Sequence, residues 1–326
     1  MNMKQLETFY WVERLGSFSA VAERVHATQS TISMRIQELE QSLGVKLFDR
    51  SHRFARLTPK GKELLPYVRQ LVEITGEIQQ RITPSDALAG VIKVGVVEII
   101  ASAWLPSFIR TLQDRCPKVS LELEIALSFD LIEKLRNGSL DVIFSAGKPP
   151  GDNFVCEPLG EIALEWMASP SLGIPDGVIS ASELRAWPFV TLNRKSIHHA
   201  RIAAWMKQND LRPRRVIECN SMTVAATLVM AGVGVTLLPP ATYRRELDEG
   251  VLRILRTPLA MPPVEVFAMY AEDEFQPLAP LVTRFAVEVS RGVPAGDAVS
   301  ALLDPAGGRK SPAPRPRRQR KPRKAG

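Results

Sequence analysis

Apolar positions set two rhythms along this chain, a helical one through residue 82 and an alternating strand-and-helix one after it. Leu6, Phe9 and Val12 share one helical face, and Gly16 stands where that helix should stop. Ser17 or Ser19 can cap a second short helix that turns Ala22 and Val25 inward. After the turn His26-Ala27-Thr28, with Thr28 as cap, a third helix carries Ile32, Ile36, Leu39 and Leu43 at 4, 3, 4 spacing and ends at Gly44. Residues 45–48 read as a short strand entering a basic hairpin around Ser51 and His52.

Thr58-Pro59 then starts a long helix, Thr as cap and Pro in the first turn. Leu64, Val68, Leu71, Thr75, Ile78 and Ile82 recur at 4, 3, 4, 3, 4 spacing, an a/d seam that predicts dimerisation; packing on its own domain is the alternative. Pro66 should bend this helix slightly, and Thr83-Pro84-Ser85 bounds it. From Val91 onward, strands 91–97, 120–125 and 140–145 alternate with helices 103–115 and 130–137. A second unit beginning near Glu161 holds strands 188–192, 215–219 and 234–238 and helices 199–207 and 222–231. The chain returns through strand 264–270 and helix 280–290. Two α/β lobes joined by two crossovers leave a cleft, with ligands expected at the carboxyl ends of strands.

The amino-terminal module carries the most specific chemistry. With the apolar stripe of the third helix inward, Ser30, Met34 and Gln37 point away from it, flanked by Gln29, Ser33 and Arg35. Small polar groups, an amide and an Arg near a helix N-terminus suit the reading of base edges in the major groove. Arg50, Arg53 and Arg56 arm the hairpin, where an Arg suits a narrow minor groove. Residues 1–58 hold eight basic and six acidic side chains, so binding must come from shape and placed contacts rather than bulk charge.

The run Gln29-Ser30-Thr31-Ile32-Ser33, followed by Leu39-Glu40, Leu43-Gly44-Val45, Leu47-Phe48-Asp49-Arg50 and Leu57-Thr58-Pro59-Lys60-Gly61, closely resembles the winged-helix domain of LysR-type transcriptional regulators. A weaker pattern extends the resemblance to the neighbourhood of residue 290. It implies that Gln29, Ser30, Ser33 and Arg53 contact DNA, that the long helix dimerises, and that the two lobes form an effector domain like the periplasmic solute-binding proteins. Many members carry an Arg directly after the position of Ser33. This chain has Met34 there, which offers no hydrogen bond to a base but can pack on a thymine methyl, and Arg35 next.

Strand ends nominate the cleft residues: Glu98, Ser102, Ser128, Ser145, Thr191, Asn193, Ser221 and Thr223. Hydroxyls and helix N-termini hold carboxylates, so a small organic anion is the expected effector. Ser128 matches a Ser/Thr position of the family. Four residues after Gly95, where many members keep a hydroxyl, stands Ile99, which points to a more apolar or differently oriented ligand.

Composition narrows the class without changing the picture. The chain has 326 residues, 45% hydrophobic and 24% charged, and no apolar run near the length of a membrane span. Its first residues lack an apolar signal core, so a cytoplasmic, nucleoid-associated place is expected. Cys116, Cys156 and Cys219 are far apart and read as reduced thiols; no metal, cofactor or catalytic set is expected. Gly232-Val233-Gly234 follows a helix and is not a dinucleotide fingerprint. Nine Lys and Arg fall between Arg309 and Lys324; without them the net charge of +7 becomes −2 for residues 1–308. That Pro- and Arg-rich tail should be disordered; a plain solvated appendage is the first reading, and a salt-dependent contact with nucleic acid is the alternative.

The fold expected is therefore α/β with an N-terminal winged helix-turn-helix (1–58), a linker and dimerisation helix (59–88) and a two-lobed effector domain (89–293). Lobe I takes 89–160 and 264–293, lobe II takes 161–263, and the tail takes 294–326. Expected partners are double-stranded promoter DNA at an interrupted inverted repeat, a small-molecule effector, a second copy of the chain in a homodimer or tetramer, and RNA polymerase. An architectural DNA-binding protein without an effector is the competing reading. An enzyme in the cleft has no nucleophile–base pair or phosphate loop to support it.

Overall fold

The computed structural model describes residues 1–49, 55–82, 88–149, 154–258, 261–271, 276 and 278–292. Three helices open the chain: α1 (Met3–Leu15), α2 (Phe18–Arg24) and α3 (Gln29–Leu43). Their caps are Asn2, Ser17 and Thr28, whose side chains accept from the amides of Gln5, Ala20 and Thr31. Leu6, Phe9, Val12, Ile32, Ile36 and Leu39 are buried together. Val25 and Leu43 depart from expectation. Val21 joins Ala22 as the inward pair of α2 while Val25, its C-cap, is exposed; Leu43 lies in the last turn of α3, past the core, and is exposed as well.

The expected strand over 45–48 is shorter, β1 (Phe48–Asp49), paired antiparallel with β2 (Arg56–Leu57). The buried Glu40 carboxylate explains the loss. Its Oε1 accepts the amides of Leu47 at 2.8 Å and Phe48 at 3.3 Å, and its Oε2 meets Lys46 Nζ at 2.9 Å, so this backbone is held by a side chain instead of a ladder. Arg50, Ser51, His52 and Arg53, the expected hairpin tip, lie outside the described residues.

The long helix is α4 (Pro59–Ile82), with Pro66 inside it. Thr58 Oγ1 accepts from the Gly61 amide at 3.1 Å, and a Cβ on Gly61 would sit 2.3 Å from the Leu47 carbonyl oxygen, so only glycine allows this close approach. Val68 and Val72 are buried in the module's core, with Leu64 and Leu65 packed against it. Leu64 and Val68 are thus spent on the module itself and leave the expected seam. The apolar side chains exposed on α4 are Tyr67, Leu71, Ile74 and Ile78, a stripe of 4, 3, 4 spacing turned slightly around the helix. Thr75 is half-buried and donates to the Leu71 carbonyl. The Ile82 side chain and residues 83–85 lie outside the described residues.

Lobe I contains β3 (Ala89–Val96), α5 (Glu98–Ala101), α6 (Leu105–Arg115), β4 (Lys118–Ile125), α7 (Ser128–Arg136), β5 (Val142–Ala146) and β6 (Phe154–Ile162). Lobe II contains β7 (Glu165–Ala168), a 3-10 turn Pro170–Leu172, α8 (Ala181–Leu184), β8 (Phe189–Leu192), α9 (Ile197–Gln208), β9 (Val216–Cys219), α10 (Met222–Met230), β10 (Thr236–Leu238), α11 (Arg244–Asp248) and β11 (Arg253–Ile254). The chain then re-enters lobe I as β12 (Val264–Ala271) and α12 (Leu278–Gly292).

The lobe I sheet has the order β4-β3-β5-β12-β6, with β4, β3 and β5 parallel and β12 antiparallel to both its neighbours. Ile143 and Phe144 alternate across it: Phe144 packs on Trp104 and Phe108 on the α6 side, while Ile143 lies beside Gly95, Leu131 and Leu140 on the α7 side. β6 has no counterpart in the sequence reading and carries lobe I to Ile162. Its Glu, Pro and Gly break any alternation, and an edge position tolerates Pro158. In lobe II, β7 is the centre of the antiparallel set β10-β7-β11, and β8 pairs in parallel with β9. The chain passes between the two lobes after β6 and again before β12.

Candidate DNA-reading face and interlobe cleft

α3 projects from the module as a polar ridge. Gln29, Ser30, Met34 and Gln37 are exposed, and Ser33 and Arg35 are half-buried at its flanks. Ser30 Oγ lies 2.8 Å from Thr28 Oγ1, and Gln29 accepts from Ser19 across the turn at 3.2 Å, so the first turn of α3 is tied to α2. Arg35 stands near the Glu7 carboxyl of α1. Burial pushes that carboxyl up, and the charges of Lys4 and Arg35 oppose the shift. Arg56 is exposed on β2, whereas Arg50 and Arg53 are outside the described residues.

Behind this ridge, α1 and α2 dock on lobe I through a buried ion pair that sequence reasoning missed. Arg24 donates to the Gly138 carbonyl at 2.6 Å and to Asp141 Oδ1, and its guanidinium lies 3.6 Å from the centre of the Trp11 ring. The side chains of Arg24 and Asp141 are 8% and 1% exposed, so this pair is desolvated. Asp141 Oδ2 also accepts the Lys93 amide at 2.7 Å. Gly138 adopts φ +74°, and a Cβ there would sit 2.9 Å from Arg14 Nε and 3.2 Å from Trp11, so glycine lets the helices seat. His26 and Glu122 meet at 3.3 Å beside it. The signal available in the sequence was Asp141, a charge at the head of the apolar strand Val142–Ala146, which needed a partner.

Three of the eight expected cleft residues come together. Glu98, the first residue of α5, reaches across to the N-terminus of α10. Its Oε1 accepts from Ser221 Oγ at 3.1 Å and the Thr223 amide at 3.1 Å, and its Oε2 from the Met222 amide at 2.5 Å. Ser221 is the N-cap of α10, accepting from Val224. Tyr243, absent from the sequence expectations, completes the cluster. Burial, with the charges of Glu98 and Glu246, pushes its hydroxyl up to about 12, against a hydrogen bond with Thr223, so it stays protonated.

The other five do not join them. Ser102 caps α5 and donates to the Glu98 carbonyl. Asn193 accepts the Lys195 amide in a local turn. Ser128 is buried at the start of α7, and Ser145 Oγ is fully buried in β5 without a hydrogen-bond partner among the described residues. Thr191 helps line a 410 Å³ groove of lobe II between α9 and β9, bordered by His199, Met206, Lys207 and Glu218. Ile99 is buried in the hydrophobic core that runs through both lobes. A second set of contacts spans the cleft: the Phe129 amide donates to the Lys195 carbonyl at 3.1 Å, and Lys195 Nζ meets Asp130 at 3.1 Å. Among the described residues no His, Cys, Asp and Glu group could hold a metal ion, and no helix is long and apolar enough to cross a membrane.

Comparison with known proteins agrees with this architecture in both the amino-terminal module and the two-lobed domain. The family model described as bacterial regulatory helix-turn-helix protein, lysR family, matches residues 3–62, and the LysR substrate binding domain matches residues 85–290. The HTH-type transcriptional regulator CzcR of Bacillus subtilis is 26% identical over 254 residues, 77% of this chain and 84% of that protein. The regulator SoxR of an Arthrobacter strain is 26% identical over 275 residues, 84% of this chain and 92% of its own length. Among solved structures, a full-length OxyR variant from Pseudomonas aeruginosa superposes with TM-score 0.64 at 22% identity, covering 91% of this chain and 97% of that one. Full-length CbnR in complex with its target DNA superposes with TM-score 0.50 at 23% identity, covering 89% and 100%. The chain belongs to the LysR family: it is a transcriptional regulator with a DNA-binding helix-turn-helix module followed by a two-lobed effector-binding domain.

Proposed function

We propose that this regulator reads an interrupted inverted repeat as a dimer, with α3 of each copy in the major groove of one half-site. Ser30, Met34 and Gln37 face the base edges in this reading, Gln29, Ser33 and Arg35 work from the flanks, and Arg50 and Arg53 reach the adjoining backbone or minor groove. The observation that carries it is the exposed ridge of α3, polar except for Met34, on a module whose other faces are spent on packing and on lobe I. The dimer forms along the stripe Tyr67, Leu71, Ile74 and Ile78, which a single chain leaves uncovered. A small molecule held between the lobes shifts their closure. Because Asp141 of lobe I holds Arg24 of α2, that shift reaches the spacing of the two reading helices.

Footprinting on promoter DNA, beginning with the region upstream of the protein's own gene, tests the reading. Two protected half-sites are expected. Ser33→Ala and Arg35→Ala should each cost about 1–3 kcal/mol of discrimination at one base pair of each half-site. An unchanged base preference in both variants would remove these residues from the reading face.

A further inference from the structure

The N-terminus of α10 is a ready seat for an anion. Three donors converge there, the Ser221 hydroxyl and the amides of Met222 and Thr223, and the first turn contains no acid of its own. The seat is already taken by a carboxylate of the opposite lobe, Glu98, which meets all three donors. The residue beside it, Ile99, faces the core, so the start of α5 gives the cleft a charge and no hydroxyl at these two positions. Glu246 adds a second negative charge to the surroundings of Tyr243. Any carboxylate arriving here would meet like charge and would have to displace a tethered competitor already making three hydrogen bonds. Lys195, bound to Asp130 and, through its carbonyl, to the Phe129 amide, joins the lobes at a second place.

We propose that Glu98 is the cleft's built-in anion: it closes lobe II on lobe I in place of an effector carboxylate and restricts the cleft to uncharged or amine-bearing effectors. This inference rests on the cleft being the effector site, and its test does not depend on DNA binding. The full chain and the variants Glu98→Ala, Glu98→Gln and Ser221→Ala are melted in sodium acetate and in sodium chloride of equal ionic strength, with acetate as the probe.

Wild type should melt alike in both salts. Glu98→Ala should melt lower in chloride and recover in acetate, which fits the emptied seat, with an acetate affinity at least tenfold above that of wild type. Glu98→Gln should melt low in both, because its carbonyl oxygen can replace only one carboxylate oxygen and its NH2 then faces the Met222 amide, donor against donor. Ser221→Ala, which keeps the two amide bonds, should fall between wild type and Glu98→Gln. Should Glu98→Ala fail to fold, calorimetric titration of the wild-type chain with acetate decides: no binding supports an occupied seat, and saturable binding that Ser221→Ala weakens overturns it. Glu98→Ala melting as wild type in both salts would equally overturn the proposal, whatever the footprint shows.

Discussion

The reading ridge and the cleft use the same kinds of side chain in opposite ways. On α3, Ser30, Met34 and Gln37 stand in solvent, so their surfaces are open to a partner. In the cleft, Glu98, Ser221 and the α10 amides bond to one another, while Ser102 and Asn193 serve local backbone. A ligand binding among these groups must exchange hydrogen bonds rather than simply add them, and the net gain per exchange is small. A polar pattern facing outward leaves its hydrogen-bonding groups to solvent or a partner, whereas a polar pattern facing inward announces first that the chain has satisfied itself.

Arg24 and Asp141 join the two regions, and cutting that joint gives the largest expected effect. Asp141→Ala leaves a guanidinium desolvated and the Lys93 amide without its acceptor, so unfolding in denaturant should show a loss of about 3–5 kcal/mol. The double replacement Arg24→Met with Asp141→Leu should recover much of this, because no charge is left buried. If Asp141→Ala unfolds with wild type, module and lobe are not docked through this pair, and the two regions are coupled only through α4.

The contrast also separates what the sequence could convey from what it could not. Periodicity and caps located all three helices of the module, since Ser17, Thr28, Gly16 and Gly44 act within a few residues of themselves. Of the parallel strands, β5 and β8 are buried throughout and announced themselves as largely apolar runs, whereas the edge strand β4 alternates with Ser120, Glu122 and Glu124. β6 and β7 were hidden because an edge strand needs no alternation and a four-residue central strand is too short to show one. The cleft was legible only as a set of strand ends. Which ends meet depends on how two lobes close, and Glu98 finds Ser221 across 123 positions of sequence, a contact no local pattern encodes. Buried charge was the one usable clue, at Asp141.

The linker lies between these cases, because the expected apolar positions do lie on one long helix but the face left exposed is rotated from the expected one. Val68 fits the heptad yet is fully buried in the module, while Tyr67 and Ile74 take the exposed places beside Leu71 and Ile78. Charge substitutions at Leu71 and Ile74 together should weaken association at least tenfold in sedimentation without lowering the melting temperature of the module. Val68→Glu should instead unfold the module. A dimer that survives the first pair would assign self-association to the two-lobed domain.

The smallest effect concerns Glu40, the reading module's counterpart to Glu98. Both are carboxylates that collect backbone amides, but Glu40 works inside one domain, holding residues 46–48 so that the wing starts where it does. Burial pushes its carboxyl up, yet the hydrogen bonds from Leu47, Lys46 and Phe48 outweigh burial and leave it below its ordinary value of 4.5. A carboxyl lowered on folding contributes stability above its unfolded value and loses it as pH falls through the folded one. Glu40→Gln should therefore cost about 1–2 kcal/mol at pH 7, as expected for a hydrogen-bonded charged group, and the gap from wild type should narrow steadily below pH 4.5. A gap that stays constant down to about pH 3 would mean that the charge of Glu40 contributes nothing to its hold on residues 46–48. The wing's entry would then be set by packing of Phe48 against Phe9 and Phe18, whose ring centres lie 5.3 and 5.9 Å away.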